Sequence, residues 1–449
     1  MEEVDRLSKL LRDTSLNAII GWGLVSLLFL LGLVNLIYGK FTWSILIVFV
    51  ICVITTPALL LRKLSVMPAW YLIIIAVIPI IGGATAYYFF SSGIPVYLSV
   101  ATIALLLAAE INWFTSVHMN YKFAILLVVI TTLAISGLWN LLIWVLDMSL
   151  GTAFILDGRS YEAINTAVMH DFIFATIAGI FAGILFGWYF RSVRSDGGIE
   201  LPPQKYNMSR SDYAIHEPPQ PIRKLLGISD EKQKLATRMM QAALFSLMVA
   251  GIVRKDVPTA LNAMTALAIT LIPYFITKKF DIPHFTGLTL WITLAVSLHF
   301  VGSLAFYENV VRWDNITHAL SASVVAAVGY TILRAIDIYV DEIVIPPKVL
   351  FLFILLFVLA TGVLWEILEF LTDELTAEFG YRAILAQHGI HDTMTDLMFN
   401  LLGAILAATW ATAYLSDISY RIADKLEEIY AKKEVSEMPE KQKQRQNEN

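Results

Sequence analysis

The chain has 449 residues, of which 57% are hydrophobic and only 15% are charged, and its mean hydropathy is +0.68. A soluble domain is about 45–50% apolar and about 25% charged, so this composition predicts an integral membrane protein. The net charge of −5 provides no broad basic surface, which argues against a nucleic-acid partner, and the single cysteine, Cys52, excludes disulfides and CxxC metal sites.

About twelve apolar segments are long enough to cross a bilayer, which takes about twenty residues. Six come first, at 18–38, 42–61, 69–91, 95–113, 122–146 and 165–190. Six more follow, at 236–254, 258–277, 284–306, 315–336, 348–371 and 393–415. The first segment lacks the short apolar core and the cleavage site of a signal peptide, which indicates a retained anchor. The predicted fold class is therefore all-α, a polytopic integral membrane protein of about twelve transmembrane helices.

Polar segments divide the chain into four predicted regions. These are an N-terminal six-helix repeat at 1–190, a polar linker at 191–232, a C-terminal six-helix repeat at 233–418 and a charged tail at 419–449. Lysine and arginine are concentrated before the first helix, in the linker and in the tail. The positive-inside rule then places the linker and both termini in the cytoplasm of a multi-pass plasma-membrane protein. An even number of helices in each half makes the two repeats parallel.

The repeat is visible in two pairs of segments. Residues 136–147 (SGLWNLLIWVLD) align with 362–373 (GVLWEILEFLTD), and residues 170–180 (HDFIFATIAGI) align with 395–405 (TDLMFNLLGAI). The alignment sets Glu366 against Asn140, Asn400 against Ala175, and Asp396 against Asp171. We therefore predict that only the second half has a complete polar site.

Seven polar side chains of the second half lie at helical spacing near the predicted extracytoplasmic ends of three helices. They are Asp314 and His318 early in helix ten, Glu366 and Glu369 late in helix eleven, and Asp392, Asp396 and Asn400 early in helix twelve. An ionised carboxylate at membrane depth costs roughly 2.5–3.5 kcal/mol, and several together repel one another unless they are protonated or neutralised by a cation.

A divalent metal (Mg²⁺, Mn²⁺, Zn²⁺ or Fe²⁺) would neutralise this charge, because oxygen and imidazole donors suit these ions. The predicted metal ligands are Asp314, His318, Glu366, Asp392 and Asp396. Either Glu366 or Glu369 is the predicted general base. The alternative is a hydrogen-bonded polar cluster that fixes helix packing, with the outermost acids solvated.

The segment between helices eleven and twelve, 372–392, is predicted to be an extracytoplasmic loop of about twenty residues. Gly380 and Gly389 would serve as hinges if it closes over the site as a lid, and His391 beside Asp392 is a further candidate ligand. The same segment, including His388, is equally consistent with an exposed irregular loop.

Four other polar residues receive simpler interpretations. His299, late in helix nine, either reaches the same pocket or bonds a neighbouring carbonyl. Asp373 is predicted to be solvated, and His170 and Asp171 are predicted to form a packing pair.

The motifs D-x-x-x-H, E-x-x-E and D-x-x-x-D-x-x-x-N-x-x-G resemble those of the bacterial inner-membrane family that includes YjdF, over residues 284–415. The matching positions are Asp314, His318, Glu366, Glu369, Asp392, Asp396 and Gly403. A looser resemblance links the chain to the VanZ-like family, from which it departs at Asn315 and Glu369. The VanZ-like proteins are linked to glycopeptide resistance and envelope lipid processes. These resemblances imply a membrane site and leave its reaction open.

Three functions remain open from the sequence. One is a metal-dependent intramembrane enzyme that acts on a lipid or a lipid-linked headgroup. Another is an ion-coupled transporter, since a six-plus-six bundle with membrane carboxylates is typical of carriers. The third is a non-catalytic membrane scaffold. The clustering of the acids at one end of the helices, rather than at mid-membrane, favours the enzyme.

Overall fold

The computed structural model describes residues 14–85, 94–114, 121–195, 229–280, 285–302, 313–339, 347–379 and 389–414, and the single positions 304, 345, 387, 419 and 422. Within them the chain forms twelve α-helices and no β-strand. The first half contains α1 (Thr14–Ile37), α2 (Phe41–Leu60), α3 (Trp70–Thr85), α4 (Ile94–Phe114), α5 (Tyr121–Leu150) and α6 (Tyr161–Ser195). The second contains α7 (Asp230–Arg254), α8 (Val257–Phe280), α9 (Thr286–Val301), α10 (Trp313–Tyr339), α11 (Pro347–Glu378) and α12 (Ile390–Tyr414).

Each apolar segment predicted from the sequence coincides with one of these helices. A helix satisfies its own backbone hydrogen bonds, which is why apolar segments take this form in a bilayer. Eight helices are long and apolar enough to span a membrane, namely α1, α2, α5, α6, α7, α8, α10 and α11. Shorter apolar stretches occur in α3, α4 and α9. The prediction of an all-helical membrane protein is thus confirmed, while twelve crossings in two repeats remain a prediction.

Helix α11 extends further beyond one predicted limit than any other described helix. It continues to Glu378, seven residues past the end of its apolar segment at 371. The predicted loop 372–392 is therefore wrong in its first part, 372–378, and at its end, 390–392, which are helical. Hydropathy marks where apolar side chains stop, whereas polar helix formers such as those in LTDELTAE extend the backbone helix into water.

One compact unit contains the described residues of Met1–Gln204, Leu359–Ile367 and His388–Met394. Its core lies among α1 to α4, where large aliphatic side chains from all four helices are fully buried. Examples are Leu28, Ile47, Ile73 and Ile103, each 0% exposed.

Helix α6 packs closely on α5 in this unit through glycines spaced four residues apart. A Cβ atom at Gly179 would lie 3.0 Å from Thr132, and one at Gly187 would lie 2.4 Å from the Ile125 side chain. Gly183 meets the same face of α5. Small residues at this spacing allow membrane helices to approach closely, so α6 is fixed against α5.

The other compact unit contains the described residues of Lys205–Val358, Leu368–Gln387 and Thr395–Asn449. In it α7 packs on α8 and α9, and α9 packs on α10. The side chain of Ser229 caps α7, and Lys255 ends it in the left-handed conformation with φ 58°. A Cβ atom at Gly251 would lie 2.7 Å from the backbone nitrogen of Ala260, which shows how tightly α7 and α8 pair.

Several sequence predictions fall outside the described residues. These are residues 196–228 of the linker, most of the tail, Gly380 and His388. The predicted linker bounds are too wide, because 191–195 belong to α6 and 230–232 belong to α7.

Candidate metal centre

Two carboxylates and one imidazole meet between α10 and α12. The Nε2 atom of His318 lies 3.5 Å from an oxygen of Asp314 and 3.5 Å from an oxygen of Asp396. One donor atom from each of the three residues lies within 4.8 Å of the other two. Asp314 and His318 share a face because they are one helical turn apart, and Asp396 comes from the second turn of α12.

The centre is largely shielded from solvent. His318 is 6% exposed and Asp396 is 2% exposed, whereas the Asp314 side chain remains 24% exposed. Asp314 is the second residue of α10, so its carboxylate lies at the helix end. The centre thus has two buried donors and one that faces the surface.

The backbones of α10 and α12 nearly touch at this point. A Cβ atom at Gly403 would lie only 2.1 Å from the carbonyl oxygen of Ala319, the neighbour of His318. Any side chain at 403 would push the helices apart. This contact explains the glycine at the end of the D-x-x-x-D-x-x-x-N-x-x-G motif, for which the sequence alone gave no physical reason.

Two further polar residues surround His318. A side-chain hydrogen bond joins His318 to Asn400, which lies one turn beyond Asp396 on α12. The ring of His299, in the last turn of α9, meets the His318 ring edge-on with 6.3 Å between centroids. His299 therefore approaches the pocket, as the first of its two alternatives predicts.

The distances suit a bound cation. Two ligands of a tetrahedral metal, each at about 2.1 Å from the ion, lie about 3.4 Å apart. Both contacts of His318 with the carboxylates have nearly this length. They are longer than an ordinary N–H···O hydrogen bond of about 2.7–3.2 Å. The donor oxygens of Asp314 and Asp396 lie within 4.8 Å of each other.

The structure does not bring all the predicted ligands into this three-residue group. Glu366, 0% exposed, and Asp392, in the first turn of α12, belong to the other compact unit. Glu369 is 5% exposed and lies in the same unit as His318. The roles of Glu366, Glu369 and Asp392 therefore remain predictions.

Beside Asp392, His391 has partners that the sequence did not reveal. Its Nδ1 atom accepts a hydrogen bond of 3.1 Å from the indole nitrogen of Trp144 on α5. The Tyr161 ring meets the His391 ring edge-on with 4.5 Å between centroids. Contacts between segments about 230–250 positions apart carry no local signal in a sequence.

Asp147 and Asp373, which are equivalent in the aligned halves, both bind the chain that follows their helix. Asp147 accepts four bonds of 2.5–2.9 Å from the Thr152 hydroxyl and the backbone of residues 154–156. Asp373 accepts a bond of 2.9 Å from the backbone of Gln387. The prediction that Asp373 is merely solvated is therefore wrong, because its carboxylate accepts a backbone hydrogen bond from Gln387.

Asp171, the counterpart of Asp396, has a partner on another helix that the sequence did not predict. The Tyr97 hydroxyl on α4 donates a hydrogen bond to the Asp171 carboxylate, while His170 is exposed. The Tyr97 ring also stacks on Phe174 at 5.6 Å. In each half, then, an acid of the sixth helix meets a polar side chain of the fourth.

Comparison with known proteins finds relatives for both ends of the chain. Residues 235–417 match the family model described as "Predicted membrane protein (DUF2238)". An uncharacterized protein of Thermotoga maritima is 33% identical over 182 residues, which is 40% of this chain and 89% of that protein. The chain belongs to the DUF2238 family of predicted membrane proteins. Residues 5–67 match a second model, "Domain of unknown function (DUF8268)". No solved structure shows significant similarity to the chain.

The DUF2238 region contains every residue of the candidate centre. Asp314, His318 and Asp396 all lie between 235 and 417, as do Asn400 and Gly403. Tyr97 and Asp171 lie in the first half, outside this region. The candidate centre therefore belongs to the part of the chain that the DUF2238 model covers.

Proposed function

We propose that the DUF2238 half of this membrane protein binds a divalent metal through Asp314, His318 and Asp396. The observation that carries the proposal is the approach of three donor atoms to within 4.8 Å at a site where His318 and Asp396 are almost fully buried. Asn400 orients the His318 ring through its hydrogen bond, the usual role of a residue behind a metal-bound histidine.

A cation gives the better account of this group than a simple packing cluster. Two ionised carboxylates beside one imidazole repel each other, and the repulsion is stronger where water is excluded. A divalent ion removes the repulsion and uses all three donors. A packing cluster would join both carboxylates to the imidazole by ordinary hydrogen bonds of about 2.7–3.2 Å, but each lies 3.5 Å from the Nε2 atom.

The bound metal would support chemistry on a lipid or a lipid-linked headgroup. Three protein ligands leave coordination positions open for water and for a phosphoryl or carbonyl oxygen. Glu369, buried on α11 in the same unit, is the proposed general base, and Glu366 is the alternative. The position of Asp314 in the first turn of α10 supports a headgroup substrate, because helix ends lie near the bilayer surface.

The membrane arrangement of the chain is part of the proposal. Twelve helices would cross the plasma membrane as two parallel six-helix repeats, with both termini in the cytoplasm and the centre on the outer side. The matching roles of Asp147 and Asp373 support the duplication, as do the Tyr97–Asp171 and His318–Asp396 pairs. The motif resemblance to the family that includes YjdF agrees with this arrangement.

Two measurements test this function. Chelator-treated protein should gain thermal stability when Mn²⁺ or Zn²⁺ is added, by about 2.7 kcal/mol at a hundredfold excess over Kd. The Asp396→Asn variant should gain nothing, while Asp171→Asn should behave as the wild type. No stabilisation of the wild type would refute the metal site.

The reaction is tested separately with the metal-loaded protein in vesicles of anionic phospholipid. Release of a headgroup by the wild type, lost in Glu369→Gln with metal content intact, would support the enzyme. Metal binding with cation uptake into the vesicles and no headgroup release would favour the carrier instead.

A further inference from the structure

The first turn of α12 is bonded to two helices of the first half. His391 accepts the Trp144 indole hydrogen bond at 3.1 Å, and the two rings meet at 5.8 Å between centroids. Trp144 lies on α5, within the same compact unit as the residues His388–Met394. The bond thus attaches one side of the turn to α5.

A second bond attaches the same turn to α6. The Thr393 hydroxyl donates to the side-chain oxygen of Asn165 at 3.1 Å. Thr393 is 0% exposed and Asn165 is 6% exposed, so water cannot replace either partner without local opening. Because these two bonds join the turn to two different helices, they fix its position along the α12 axis and its rotation about that axis.

The residue directly before this turn is a glycine that lies close to α6. Gly389 has φ +92°, a conformation that other residues rarely adopt. A Cβ atom there would lie 3.7 Å from Tyr161, the first residue of α6. Because 3.7 Å is an ordinary van der Waals distance, the backbone conformation rather than the space requires the glycine, and the start of α12 lies against α6.

Asp396 lies on the same continuous helix, three positions after Thr393. This spacing corresponds to a rise of about 4.5 Å along the axis. Within an unbroken helix, rotation or translation of the first turn carries the following turn with it. The bonds of His391 and Thr393 therefore act on the helix that carries Asp396.

We propose that Trp144 and Asn165 are positioning residues for the metal centre, acting through α12 on Asp396. This inference rests on the proposed metal-binding function. It assigns a role to the first half, which lacks a complete set of ligands of its own. The first half fixes the helix that presents a ligand in the second half.

Metal affinity and the spectrum of the bound ion test the inference in the full chain. The variants are Thr393→Val, which removes one hydrogen bond and nearly preserves side-chain shape, and Trp144→Phe, which removes the indole hydrogen bond together with part of the ring. Loss of a residue that orients a ligand weakens metal affinity by about 10–100-fold. We expect the Kd for Mn²⁺ to rise by about this factor in each variant, and the visible spectrum of bound Co²⁺ to change.

Two controls separate positioning from general loosening of the fold. Thr393→Ser keeps the hydroxyl and should restore the wild-type Kd and spectrum. Tyr97→Phe removes a hydrogen bond of the first half that does not involve α12, and it should leave both unchanged.

The inference is overturned if folded Trp144→Phe and Thr393→Val bind Mn²⁺ and Co²⁺ as the wild type does. It is also overturned if Tyr97→Phe weakens binding as much as they do. Failure of the wild type to bind either ion is a different result, which refutes the metal site itself and the inference with it.

Discussion

Gly403 and Ala319 approach so closely that a Cβ atom on the glycine would lie 2.1 Å from the alanine carbonyl oxygen. No real Cβ atom tolerates this distance, and the obstacle is backbone, which cannot rotate away. The contact sits beside His318 and one turn from Asn400. It therefore sets the separation of α10 and α12 at the candidate centre.

Replacing this glycine should damage both stability and metal binding. We expect Gly403→Ala to lower the free energy of unfolding by at least about 1–3 kcal/mol, the usual cost of overpacking. Gly23→Ala is the matched control, because nothing lies within 4 Å of a Cβ atom there. Thermal unfolding in detergent measures both variants, and equal midpoints would contradict the close contact.

The second prediction concerns the hydrogen bonds that Asp147 accepts from the loop after α5, and it is about stability alone. Asp147→Ala leaves three backbone N–H groups and the Thr152 hydroxyl without their acceptor, which should destabilise the protein by about 1–3 kcal/mol. Limited proteolysis should then cut within residues 151–160. The exposed Asp157 provides the control, as Asp157→Ala should leave the cutting rate unchanged. Similar proteolysis of both variants would argue against the role of Asp147.

The two aligned acids, Asp171 and Asp396, should differ in function. Asp396→Ala removes a proposed ligand and should abolish metal binding, whereas Asp171→Ala should cost only the Tyr97 bond, about 1–2 kcal/mol of stability. Metal content and unfolding midpoints distinguish the two effects. Loss of metal or of transport in Asp171→Ala at unchanged stability would favour a carrier that uses both halves.

The sequence predicted the helices well because apolar length is a local property. It also placed Asp314 next to His318 and Asp396 next to Asn400, since positions four apart share a helix face. That the first pair would approach the second in space was inferred only from the cost of burying charged side chains in a membrane. The contacts of Gly403 with Ala319 and of His391 with Trp144 were not foreseeable, because each joins distant segments through packing that composition does not encode.

Labelling in intact cells tests the topology. With Cys52 replaced by Ser, a single cysteine at Arg159 or Glu378 should react with an impermeant maleimide from outside. A cysteine at Lys63 or Lys279 should react only after the membrane is opened. All four positions are exposed, so access depends on the side of the membrane alone. The opposite pattern would move the candidate centre to the cytoplasmic leaflet.

Elemental analysis of protein purified in mild detergent without chelator tests the metal centre most directly. We expect about one divalent ion per wild-type chain, which a site of three protein donors holds. The His318→Ala variant should lose the ion, and a variant at the exposed His170 of the first half should retain it. A wild-type chain without metal, even after Mn²⁺ or Zn²⁺ is supplied, would contradict the account. An unchanged metal content in His318→Ala would contradict it equally.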